Sequence, residues 1–201
     1  MKMCSSFRSL VMASLVALMV TACSSETESV DASAAPENIT WNLGPAGLEY
    51  PVSSVSGPHV TDPVPSGFSN DPQGAVLAAM ATQVFLAAAD DESWPLVAQK
   101  MLEPGIGRDQ WAQARALLSV KGKIENPPQF KAFRVDDFSE GKAIISLAAF
   151  YPRQNLTAAM PVQLSHSSGD WRVVLPPQDQ APDLVELGEE TLKTFTSLSK
   201  E

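Results

Sequence analysis

The chain has 201 residues, 44% hydrophobic and 18% charged, with 23 acidic against 14 basic side chains for a formal net charge of -9. That balance argues against nucleic acid or anionic lipid as the main partner, because both need clustered Lys and Arg, and solubility is its plain consequence. Two cysteines, Cys4 and Cys23, and two histidines, His59 and His166, leave little material for disulfide, thiol or transition-metal chemistry.

The first 22 residues read as an export leader: basic Lys2 and Arg8, an apolar run over 10–20, then the small Thr21 and Ala22. The run is about half the roughly 20 apolar residues that a spanning helix needs, so cleavage is expected. Val20-Thr21-Ala22-Cys23 closely resembles the bacterial lipobox, with a branched apolar residue, two small ones and a cysteine whose thiol takes diacylglycerol. The resemblance implies lipid attachment at Cys23 and a mature chain held on the extracytoplasmic face of the cell membrane; an ordinary secretory leader or an uncleaved anchor is the competing reading. Two or three acyl chains anchor firmly, since each buried methylene contributes about 0.8 kcal/mol and one chain alone is marginal. Residues 23–37, rich in Ser, Ala, Glu and Asp, are expected to form a disordered tether, leaving 38–201 as a single domain. Cys4 leaves with the leader and Cys23 is spent on lipid, so an internal disulfide and a thiol nucleophile are both ruled out.

Over 41–71 the prolines and glycines forbid any long helix, so short strands and turns wrapped on the core are expected. Asp71 as cap and Pro72 at the first helical position open a helix over 73–89, with a buried stripe of Leu77, Met80, Val84 and Ala88 beside Val76 and Phe85. No ionisable side chain falls inside it, so most of its sides should be buried. A second helix is expected over 94–102, stopped by Pro104-Gly105, and a third over 109–119 with Trp111, Ala114, Leu117 and Leu118 as its apolar side. After Pro127-Pro128 the period changes to two, giving strands over 130–138, 143–151, 156–166 and 171–175 joined by tight turns. A last amphipathic helix is expected over 183–199, with Leu184, Leu187, Leu192, Phe195 and Leu198 as its stripe. Helices followed by an antiparallel meander point to an α+β fold, helices packed against a curved, cone-like sheet, with an N-terminal extended segment.

Two stretches are similar to known families. Gly57-Pro58, Ser66-Gly67-Phe68 and Pro72-Gln73-Gly74-Ala75-Val76-Leu77-Ala78-Ala79 resemble a domain of unknown function in exported actinobacterial proteins, many encoded with integrative and conjugative elements, over about 41–90. The strands ending in Gly169-Asp170-Trp171-Arg172-Val173 resemble the cone fold of nuclear transport factor two relatives, some of them scaffolds in secretion or conjugation machines and others isomerases or dehydratases. Neither resemblance carries over a catalytic residue.

The chemical inventory is poor. Adjacent Asp136 and Asp137 on one strand are expected to point to opposite faces and so cannot pair as acid and base. His166 is expected at a pocket rim near Asp170 or Tyr151, structurally satisfied; His59 is expected exposed in a turn. Ser53-Ser54 and Ser167-Ser168 lack a Gly-x-Ser-x-Gly elbow, and Gly105-Ile106-Gly107-Arg108 lacks the Lys and Ser/Thr of a phosphate loop. Trp41, Trp94, Trp111 and Trp171 are read first as core anchors, with a binding surface as the alternative. The sequence therefore points to no cofactor, no metal and no catalytic residue. It reads as a non-enzymatic lipoprotein that binds envelope or transfer-apparatus proteins; the alternative is a small-ligand receptor or cone-fold enzyme.

Overall fold

The computed structural model describes residues 31–198. The leader, Cys23, the first part of the expected tether and Ser199 lie outside the described residues. Helices and antiparallel sheets make the fold α+β. Strands β1 (Ile39–Leu43) and β2 (Glu49–Ser53) form a hairpin through the 3-10 turn Pro45–Gly47, with Trp41 opposite Pro51. Helices α1 (Pro72–Ala88), α2 (Trp94–Lys100) and α3 (Ile106–Arg115) follow. Then come β3 (Gln129–Ser139), β4 (Lys142–Tyr151) and β5 (Leu156–Ser165), the body of the main sheet.

Helix α1 begins as its sequence dictates. The Asp71 carboxylate accepts from the Gly74 N–H at 2.6 Å, and Pro72 occupies a position whose missing N–H costs nothing. Its buried side chains, Leu77, Met80 and Val84 among them, share one core with Phe133, Ile145, Leu147, Val162 and Leu164 on the inner face of the sheet. Burying each such aliphatic side chain contributes about 1.5–3 kcal/mol.

The outer face of the sheet is different in kind. Ala132, Ala148 and Ala159 lie there side by side, small enough for the C-terminal segment to settle on them through Phe195, Leu187 and Leu192. The helix expected over 183–199 is absent. In its place are β7 (Val185–Glu186) against β5, a single turn α4 (Glu189–Leu192), and β8 (Thr196–Ser197) against β3. The apolar residues are real burial signals, with Phe195 at 9% exposure and Leu198 at 6%, but Leu184 is 53% exposed. Gly188 breaks the segment, and two open sheet edges offer hydrogen bonds that an isolated helix cannot match. The Arg134 guanidinium lies 4.7 Å from the centre of the Phe195 ring and holds the segment down. The small strand β6 (Arg172–Val173) pairs with the far end of β5, giving the order β6-β5-β4-β3-β8.

Residues 31–37 also depart from expectation. Rather than hanging free, they dock: Gln73 donates to the carbonyls of Asp31 (2.9 Å) and Ala34 (3.0 Å), Thr196 donates to Ser33 O (2.7 Å), and Ser53 donates to Glu37 O (2.6 Å). Composition alone signalled disorder, and partners far along the chain supply the order.

Helix α3 starts three residues earlier than expected and stops at Arg115, so Leu117 lies beyond its end and is 86% exposed. What stops it is the buried Arg115 guanidinium, which folds back to donate to Leu118 O (2.7 Å), Ala89 O (2.7 Å) and the Asp91 carboxylate (2.9 Å). Arg115→Met is expected to lose about 2–4 kcal/mol in urea denaturation, because two carbonyls lose their donor. The Ser119 hydroxyl first, and Arg115 second, hold the Asp91 carboxyl down at about 2. Its folded pKa lies below the ordinary carboxylate value, so its contribution is complete above about pH 4 and lost as pH falls through about 2. Asp91→Asn should therefore flatten the acid side of a melting-temperature profile between those limits.

Candidate functional site

The motifs singled out along the chain converge on one another. Asp170 accepts from the Gly67 N–H at 2.7 Å through one carboxylate oxygen and from the Phe68 N–H at 3.0 Å through the other. The next residue, Trp171, is 1% exposed and donates its indole N–H to Ser69 O at 2.9 Å. Gly57 sits at φ +90, where a Cβ would meet Gly67 O at 2.6 Å. The Gly-Pro, Ser-Gly-Phe, Pro-Gln-Gly and Gly-Asp-Trp motifs thus form a clamp that fastens the N-terminal loops to the end of the sheet. Their chemistry is spent on structure.

Open space lies elsewhere, between α1, α3 and the inner face of the sheet. A first, half-open chamber of about 490 Å3 lies between α3, β5 and the loop that leaves β6, with Trp111, Met160, Val162 and Leu175 among its walls. Gly107 makes it possible: α3 approaches the loop so closely that a Cβ there would stand 2.2 Å from Leu175 O. A second chamber of about 320 Å3 adjoins it, walled by Leu48, Ala87, Ile124, Phe130, Leu147 and Tyr151. Gln83 and Met160 line both chambers, so the two meet there in one groove. These volumes fall in the range of small-molecule sites.

The polar groups of the groove are distinctive. The first chamber carries five glutamines, Gln83, Gln110, Gln163, Gln178 and Gln180, and no ionisable side chain. The Gln110 carboxamide oxygen accepts from the Gln178 N–H at 2.9 Å and braces the outer loop. In the second chamber Glu49 and Tyr151 are the ionisable lining, and burial pushes the Tyr151 phenol above its ordinary value.

Of the residues weighed from sequence, Tyr151 and Trp111 line the groove. His166 lines neither chamber; its ring lies edge-on to Trp171 with centroids 5.1 Å apart. His59 is exposed beside Gly67, as expected. Asp136 does not follow simple alternation. The β3 register slips between Val135 and Asp137, where an extra residue enters the strand, and Asp137 faces Ile144. Asp136 is bound on the outer face by Arg134 (2.6 Å) and the Ser146 hydroxyl. It is an ion-pair residue outside the groove. Trp94 and Trp111 pack edge to face at 6.3 Å, and Trp41 packs against the core.

The five glutamines were missed in the sequence. Four are scattered over α3, β5 and the 178–180 turn, where exposed glutamine is unremarkable. Gln83 alone carried a signal, as a long polar side chain in the body of a helix that has no charged residue.

A family model described as "Domain of unknown function (DUF8175)" matches residues 17–197. No curated protein and no solved structure matches the chain.

Proposed function

We propose that this chain, which belongs to the DUF8175 family, is an extracytoplasmic lipoprotein, anchored through Cys23, whose domain acts by binding rather than by catalysis. The observation that carries the binding reading is the larger chamber: roomy, mostly apolar and lined by carboxamides where an acid/base enzyme needs a desolvated titratable group. The leader and the Val20-Thr21-Ala22-Cys23 lipobox support the anchor. The two register slips in β3 support a bent, cone-like sheet of the kind seen in scaffolds of secretion and conjugation machines, and envelope or transfer-apparatus proteins are the partners that reading implies.

The enzymatic alternative, a cone-fold isomerase or dehydratase, would act in the second chamber, where Glu49 and Tyr151 lie. Glu49 is exposed there, whereas proton transfer tuned by desolvation needs a buried carboxyl.

Cys23→Ser is expected to abolish lipid-dependent membrane retention or block processing of the leader, read by detergent partitioning and intact mass. Unchanged partitioning and mass would overturn the anchor. A crosslinked pull-down from native membranes, against the same variant, tests the partners: a specific set of envelope proteins supports them, and background alone removes them.

A further inference from the structure

We infer that the groove holds one uncharged single-chain amphiphile, its hydrogen-bonding head among the glutamines of the first chamber and its tail past Met160 into the second. This rests on the reading of the groove as the binding site, and it names the ligand class. Charge is the first argument. The first chamber is half-open and holds no ionisable side chain, so a charged head would give up part of its water there with no counter-charge in return, a cost that a neutral head avoids.

The distribution of polar groups is the second. Carboxamides, each both donor and acceptor, cluster in the first chamber, while Leu48, Val84, Ile124, Phe130 and Leu147 dominate the second. Both chambers are mostly apolar, but the glutamines other than Gln83 belong to the first, so a neutral hydrogen-bonding head finds its partners at that end, while Gln83, Glu49 and Tyr151 are the polar lining of the other. Gln83 is the third. It stands where the chambers meet, half-buried on α1 beside the buried Thr82, in a helix with no ionisable side chain. Among the described residues its carboxamide has no hydrogen-bond partner. A polar side chain so placed is matched by a ligand that carries an ester or amide between head and tail.

The test uses the full-length Cys23→Ser chain, free of its own acyl groups. The neutral fluorophore N-phenyl-1-naphthylamine is titrated in, then displaced by monoacylglycerols of increasing chain length below their micellar limit. Affinity is expected to rise about fourfold per methylene until the second chamber is full, then level off. The fatty acid of equal length, charged at pH 8, should bind at least tenfold more weakly. Ala114→Trp and Ala87→Trp place bulk at exposed helix positions on the walls of the first and second chambers respectively, and each should weaken monoacylglycerol binding at least tenfold. Gln83→Leu should weaken it about two- to tenfold. Circular dichroism of each variant checks that it is folded.

Absence of saturable binding overturns the proposal. So does equal binding of the fatty acid, or an unchanged affinity in a folded variant with either chamber filled. Partner capture from membranes is read separately, so loss of the amphiphile with retained capture rejects this ligand and leaves the protein-binding reading standing.

Discussion

Gly74→Ala is expected to destabilise the protein by at least about 4 kcal/mol, although alanine ordinarily improves a helix over glycine by about 1 kcal/mol. The sign reverses because a Cβ at Gly74 would stand 2.0 Å from Ser69 O and 2.9 Å from Ser69 N and carbonyl C. Those are backbone atoms with nowhere to go. Ser69 O accepts the buried Trp171 indole N–H, and Ser69 N donates to Ser56 O. The helix cannot retreat either, since Gly74 N is tied to the Asp71 cap. Gly105→Ala, with open space around the added methyl, is the control and should stay within about 1 kcal/mol of the parent. Urea denaturation of the pair decides the matter. A Gly74→Ala protein as stable as the parent would mean that α1 does not approach the 66–71 loop as closely as described.

Asp170→Ala should cost about 3–5 kcal/mol, the loss of two charge-assisted hydrogen bonds to the Gly67 and Phe68 N–H groups across more than a hundred residues of chain. Trp171→Phe keeps an aromatic ring in the core and removes the indole N–H from Ser69 O, so a smaller loss of about 1–2 kcal/mol is expected. Because both residues grip the same loop, the double variant should lose less than the sum of the two. Strict additivity, measured in the same denaturation experiment, would show that the two contacts act independently and that no common clamp exists. A second consequence separates structure from function here. The clamp lies apart from both chambers, so an Asp170→Asn protein that remains folded should bind the groove's ligand as the parent does.

The parts whose physics is local are legible along the chain. Asp71 and Pro72 start α1 wherever the chain goes, and an uncharged run of that length has to be buried. Alternation of apolar and polar residues set β3 to β5, and Ser139-Glu140-Gly141-Lys142 supplied the turn between the first two, with Gly141 at φ +78. Tertiary structure decided what local periodicity cannot carry. The last stripe of leucines and Phe195 has helical spacing, yet an alanine-covered outer face and two unpaired sheet edges recruit it as short strands. Residues 31–37 lack apolar side chains to bury in number, but Gln73, Ser53 and Thr196 offer their backbone specific hydrogen bonds. One extra residue in β3 undid the alternation argument for Asp136 and Asp137. The groove was hidden for the same reason: its glutamines come from separate elements, and only the close approach of Gly107 to Leu175, with the outer loop braced by Gln110, brings them around a common space. Propensity and capping act over a few residues and are written in order along the chain, whereas a cavity is a relation between distant surfaces that exists once packing has fixed their distance.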